Sequence, residues 1–205
     1  MAPARRGEPR HQRRVAAGAA APLNPFSAAL AAGGAALALS GAVPRHDLLF
    51  SAAWPTYLWA ANRWRFRRNA ALGAARPGPL VDEPYAGCAA VLAILLPAAV
   101  ALLQRGQPGV LAAVAPHLYL TVAQVVCEFF TGGGTTAALP RMLVPVGFNA
   151  WRMAALAGWC GAAAGLGPWH VALAAANTAF WGYNLFGFLL LNMLPRYLDP
   201  QKCAP

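Results

Sequence analysis

The 205-residue sequence is short of charge: Asp, Glu, Lys and Arg together make up 11% of it, under half of the roughly 25% found in ordinary soluble domains. Acidic groups are the scarcest, with six Asp and Glu against 16 Lys and Arg. Hydrophobic residues make up 59%, and the mean hydropathy is positive, at +0.45. This balance argues against a soluble globular domain, and equally against a disordered chain, which is low in hydrophobicity and high in charge. Cysteine is also sparse. Cys88, Cys127, Cys160 and Cys203 form no C-x-x-C pair and have no histidine at metal spacing, so neither a zinc site nor a disulfide framework is expected. The phosphate-binding loop, the G-x-S-x-G elbow, H-E-x-x-H and the dinucleotide fingerprint are all missing. No catalytic, cofactor-binding or metal-binding residue is therefore assigned, and no cofactor is expected.

The formal net charge is +10, which raises the question of nucleic acid. A nucleic-acid binder gathers its basic residues on one face or groove. Here they stand in short clusters between apolar runs: Arg5, Arg6, Arg10, Arg13 and Arg14, then Arg63, Arg65, Arg67 and Arg68. Basic clusters in short loops are the signal that orients membrane spans. The expected partner is thus the lipid bilayer, with a membrane-protein partner or a homo-oligomer as further contacts, and not nucleic acid.

Alanine is abundant, at 49 residues. It is only weakly apolar, so spans must be placed by the Leu, Val, Phe and Trp clusters. A spanning helix needs about 20 mostly apolar residues. The pattern predicts an all-α polytopic transmembrane helix bundle with about six membrane-associated helices, four to six of them true spans. The segments are about Pro25–Val43, Asp47–Asn62, Tyr85–Gln104, Val110–Phe130, an ambiguous fifth within Pro140–Gly165, and Trp169–Leu194. The second is short and contains Pro55; its aromatics Phe50, Trp54, Tyr57 and Trp59, followed by Trp64, suit an interfacial belt. Residues 131–139 read as a loop because three glycines are costly in a helix. The fifth segment carries Arg141, Pro145, Asn149 and Arg152, and reads either as a span or as a re-entrant or interfacial helix. The resulting divisions are an Arg-rich tail over 1–22, the bundle over 23–195 and a short C-terminal tail over 196–205. The first tail is rich in Arg and poor in acid, as transit peptides are, but it has no Ser, which favours a plain orienting tail.

With six spans, thirteen basic residues fall on the side of the N-terminus and two, Arg45 and Arg105, on the other. That asymmetry predicts both termini on the cytosolic or stromal side, of an endomembrane or a plastid respectively.

The fourth segment carries His117, Thr121, Gln124 and Glu128, spaced by four, three and four residues. That spacing puts them on one helix face. Ionisable groups within a span face the bundle interior or a watery cavity. The stripe reads either as a polar relay or ligand pathway, or as interhelical hydrogen bonding that fixes packing. On the last segment Asn177 and Asn184 are seven residues apart and share a face with Trp181. Buried amides need partners, so this face is expected to meet the His117–Glu128 face, with Arg141 and Arg152 as counter-charges to Glu128. Gly161-Ala-Ala-Ala-Gly165 matches the G-x-x-x-G packing motif, a match that so much Ala and Gly produces by chance.

Several of these residues also carry a family resemblance. Ala115-Pro-His117, Gln124 and Glu128, Arg141-Met-Leu-Val-Pro145, Phe148-Asn149, Arg152, Ala176-Asn177-Thr-Ala-Phe-Trp181, Asn184-Leu-Phe-Gly-Phe188 and Leu194-Pro-Arg196 resemble a family of plant membrane proteins built on the domain of unknown function 7733. The resemblance spans about residues 110–197, and reaches the first half only through hydropathy. It implies a plant source and a multi-pass membrane protein, with no activity to carry over. The leading expectation is a non-enzymatic scaffold, assembly or interaction component. A transporter or channel component using the polar stripe comes second, and a lipid-directed membrane enzyme third.

Overall fold

The computed structural model describes residues 25–66, 83–131 and 136–198. Every element in them is helical. The elements are α1 (Pro25–Leu39); α2 (Arg45–Ala61), continued by wide π-helical turns over Asn62–Phe66; α3 (Glu83–Ala90), continued by π-helical Val91–Leu95 into α4 (Leu96–Leu103); α5 (Val110–Thr131); α6 (Ala138–Leu166); and α7 (Pro168–Gly182), continued by π-helical Tyr183–Met193 into α8 (Leu194–Leu198). Taking α3 with α4, and α7 with α8, gives six rods. The Arg-rich tail over 1–22, Arg67, Arg68 and Arg76, the glycines of the 131–139 loop and the end of the C-terminal tail lie outside the described residues.

Proline and glycine punctuate these rods. Gly41 ends the first at φ 75°, and Pro44 precedes α2. Gly167, at φ 112°, reverses the chain between α6 and α7 in a backbone region that L side chains rarely occupy, and Pro168 then opens α7 at the position where a missing N–H costs nothing. The wide turns have a proline cause too. Pro97 has no N–H for the Ala93 carbonyl four residues earlier, and Pro195 has none for Leu191. In each case the chain has already shifted to longer hydrogen bonds, as from Leu96 N–H to the Val91 carbonyl. Pro55, by contrast, is absorbed inside α2.

Successive rods run in opposite directions. His170 at the start of α7 donates to Gln104 just past α4, at 2.7 Å, and Gly109 before α5 lies against Leu166 at the end of α6. At the other end, Asn62 accepts from the Ala137 N–H just before α6 at 2.9 Å. The start of α1 and the end of the α7–α8 rod share this second end, since Leu30 and Met193 line the same cavity.

α6 is the central helix and makes the ambiguous fifth segment continuous. It is a single 29-residue helix of about 43 Å at 1.5 Å per residue. It begins at Ala138, inside what reads as a loop, and passes through Pro145 without a break. Its face of Met142, Val144, Phe148, Asn149, Arg152, Leu156, Trp159 and Ala163 is buried. One apolar cluster joins Val114, Leu118, Leu156, Trp159, Leu173 and Trp181; a second joins Leu58, Leu120, Val144 and Phe148. The aromatics of α2 divide between the two sides. Phe50 stacks on Trp151 at 4.5 Å and meets Phe148 edge-on, and Trp54 donates to the Leu143 carbonyl at 3.2 Å, so these two pack inward instead of joining a belt. Tyr57, Trp59 and Trp64 are exposed.

Among the described residues one helix, Val110–Thr131, is long and apolar enough to cross a membrane. Shorter apolar helical runs are Ala28–Leu39 and Gly87–Leu103.

α2 lies tight against α6 at Gly147, where any Cβ would enter the Trp54 indole. Gly147→Val is expected to destabilise the bundle by about 1–3 kcal/mol, the usual cost of overpacking, while Gly158→Ala, with open space around it, should not. Thermal unfolding of the purified variants measures the difference.

Candidate functional site

The polar residues of α5, α6 and α7 meet around one guanidinium. Arg152 lies at mid-length of α6 and is 0% exposed. Its Nη1 donates to Asn149 Oδ1 one turn earlier. Its Nη2 donates to Gln124 Oε1 at 2.7 Å and lies 3.4 Å from the Leu120 carbonyl. The guanidinium carbon stands 4.0 Å over the ring of Trp181. A charge removed from water is tolerated only with such close partners, and the flat guanidinium suits a combination of hydrogen bonds and an aromatic face.

Gln124 is the relay of this arrangement. Its oxygen accepts from Arg152, and its amide nitrogen donates to Glu128 Oε1 at 2.8 Å. Arg152 and Glu128 are therefore joined through an amide and not by a direct ion pair. The four-residue step from Gln124 to Glu128 is one helical turn, which makes the pair local. Glu128 itself is exposed at the end of α5.

The rest of the stripe behaves differently. Thr121 donates back to the His117 carbonyl at 2.9 Å. His117 is 0% exposed, with its ring 5.8 Å from Trp159 and 6.4 Å from Trp181. The Asn177 side chain and the Ala93 backbone adjoin the ring, but neither closes a hydrogen bond of good geometry on Nδ1 or Nε2. Asn177 donates instead to the Leu173 carbonyl at 3.0 Å. His117 is thus a fully buried ring between two tryptophans, with no hydrogen bond to the Arg152–Gln124–Glu128 chain.

A half-open cavity of about 400 Å³ lies beside that chain. Its walls are mainly apolar, with Leu30, Ala93, Val125, Pro145, Phe188 and Leu189 among them, and its polar groups are Tyr85, Thr121, Gln124, Glu128, Arg141 and Asn184. Arg141 and Glu128 both line it without forming an ion pair with one another. The structure brings Gln124, Glu128, Arg152 and Trp181 into one network, sets Asn177 beside His117, and places Asn184 and Arg141 on the cavity wall. Sequence reasoning missed Asn149 as the second partner of Arg152 and Tyr85 as a cavity residue. Spacing contained a signal for Asn149, three residues before Arg152; for Tyr85 there was none, since it enters from a distant helix. A Cβ at Gly161 or Gly165 would meet no neighbouring helix among the described residues, so these glycines mark no close helix packing there.

The model of a domain of unknown function, DUF7733, matches residues 27–201. The chain belongs to this family. The match takes in α1 to α4, where hydropathy is the main likeness readable from sequence, so the family unit is the whole bundle. No curated protein and no solved structure matches the chain.

Breaking the network is expected to have graded effects. Gln124→Leu leaves the buried Arg152 short of a partner and should cost about 3–5 kcal/mol. His117→Phe removes ring nitrogens that make no hydrogen bond, and should be neutral or stabilising. Unfolding midpoints of the purified variants test both; strong destabilisation by His117→Phe would contradict a ring without hydrogen bonds.

Proposed function

We propose that the chain is a multi-pass integral membrane protein that acts as a non-enzymatic scaffold or interaction component. The observation that carries this reading is the inverted distribution of side chains. Leu39, Leu49, Leu102, Leu103, Trp169, Phe186 and Leu191 are exposed, while Arg152, His117, Asn149 and Asn177 are completely buried. Soluble monomers rarely expose apolar surface on this scale, and ionisable groups in lipid-embedded bundles turn inward. Exposed Trp64 and Trp169 stand at opposite ends of the bundle, as interfacial belts require. The alternating rods put the beginning of α1 and the end of the last rod at one end, which supports both termini on one side, the Arg-rich cytosolic or stromal side.

The polar groups support the non-enzymatic part. Arg152, Asn149 and Gln124 are occupied with one another, in the manner of interhelical glue. Catalysis would need several converging groups free to act near a bound substrate. The cavity supports a second reading, a ligand-binding or transport component, because its polar groups are not all committed.

Full-length chain is expected to stay in the membrane pellet after alkaline carbonate extraction, and tags at the two termini should be accessible from the same side. Extraction into the supernatant would sink the membrane reading; tags on opposite sides would sink the six-rod topology.

A further inference from the structure

We propose that the cavity holds the headgroup of a zwitterionic phospholipid, its phosphate toward Arg141 and its ammonium toward Glu128. The proposal rests on the membrane reading above and deepens its second form.

The first support is location. Glu128 is one turn from the end of α5 and Arg141 one turn from the start of α6, so the two charged groups lie toward one end of the bundle. In a membrane that end is at headgroup depth, and a half-open apolar cavity beneath it receives the first part of an acyl chain. A volume of about 400 Å³ is within the roughly 300–1,000 Å³ of ligand sites, and the remaining chain leaves through the opening into the bilayer.

The second support is charge. A carboxylate and a guanidinium share one cavity without pairing. Glu128 has only its Gln124 bond, and Arg141 has no side-chain hydrogen bond or ion pair among the described residues. Opposite charges held apart complement a molecule that carries both signs. An anionic lipid would face Glu128 unfavourably, and a neutral one would leave both groups unanswered.

The third support is unmet hydrogen bonding. Asn184 is 6% exposed and lines the cavity, yet its amide makes no hydrogen bond among the described residues. Tyr85 is stacked against Phe180 and Phe188 at 5.4 and 5.6 Å, with its hydroxyl buried and unpartnered. A buried hydroxyl left unpaired is costly, and a phosphate oxygen in the cavity accepts from the Asn184 amide.

The test uses the full chain in liposomes with a photoactivatable single-chain phosphocholine probe, and competition by phosphatidylcholine, phosphatidylglycerol, diacylglycerol or free leucine. Labelling is expected on peptides around residues 85, 128, 141 and 184, with phosphatidylcholine competing roughly tenfold better than phosphatidylglycerol, the worth of one charge-assisted contact. Glu128→Gln should shift the preference toward phosphatidylglycerol, Arg141→Gln should weaken phosphatidylcholine competition roughly tenfold, and Asn184→Leu should reduce labelling. The first two residues are exposed, so their variants keep the fold, and headgroup preference is a readout that lost packing does not move. Equal competition by phosphatidylglycerol or diacylglycerol, an unchanged preference in both charge variants, or displacement by leucine but not by lipid overturns the proposal. Membrane retention without headgroup selectivity defeats this proposal alone; carbonate extraction into the supernatant defeats the membrane reading itself.

Discussion

A guanidinium with no access to solvent constrains the whole bundle. Arg152 has to be answered where it stands, and the answers come from three rods: Asn149 from its own helix, Gln124 and the Leu120 carbonyl from α5, and the Trp181 ring from α7. Those contacts fix the rotation of α5 and α7 against α6. Once α5 is turned to present Gln124, His117 is carried inward between Trp159 and Trp181, and Glu128 is carried to the rim. The apolar clusters fill the space that this polar core leaves, with Leu118, Leu156 and Leu173 on one side and Leu58, Leu120 and Phe148 on the other.

The same constraint leaves an uneven distribution of unused polarity. Gln124 has one amide to offer and spends both ends of it, so Arg152 is answered by an uncharged group and the Glu128 carboxyl is left at the cavity. Arg141 is eleven residues from Arg152 in sequence, about three helical turns away at 3.6 residues per turn, and therefore at a different depth. The acid and the base at the cavity consequently remain separate, and this separation gives the cavity a chemical character that its mainly apolar wall would not have.

Much of the architecture was legible in composition and spacing. The six segments, the 117–121–124–128 stripe and the shared face of Asn177 and Asn184 all follow from runs of apolar residues and from a period of 3.6. Two features were harder to read. The start of α6 was masked by glycines at 132–134, which gave the whole stretch the look of a loop, although Ala138 already opens the helix. The aromatics of α2 looked alike as a belt, but Phe50 and Trp54 lie on the side facing Trp151 and Phe148. That division depends on the rotation of α2, which the neighbours of α2 set and its own pattern does not.

By itself the sequence determined the helical class, the number of rods, the scarcity of charge and the particular polar residues that must be sheltered, because each is a property of local composition or period. Only the tertiary structure decided which of those residues answer one another. Arg152 was equally able to meet Glu128 directly; the depth at which α5 packs on α6 put Gln124 between them. Tyr85 and Asn184 are 99 residues apart, and no local rule joins them. Their common cavity exists because the first turn of α3 packs against the middle of the α7–α8 rod, where Tyr85 stacks on Phe180 and Phe188.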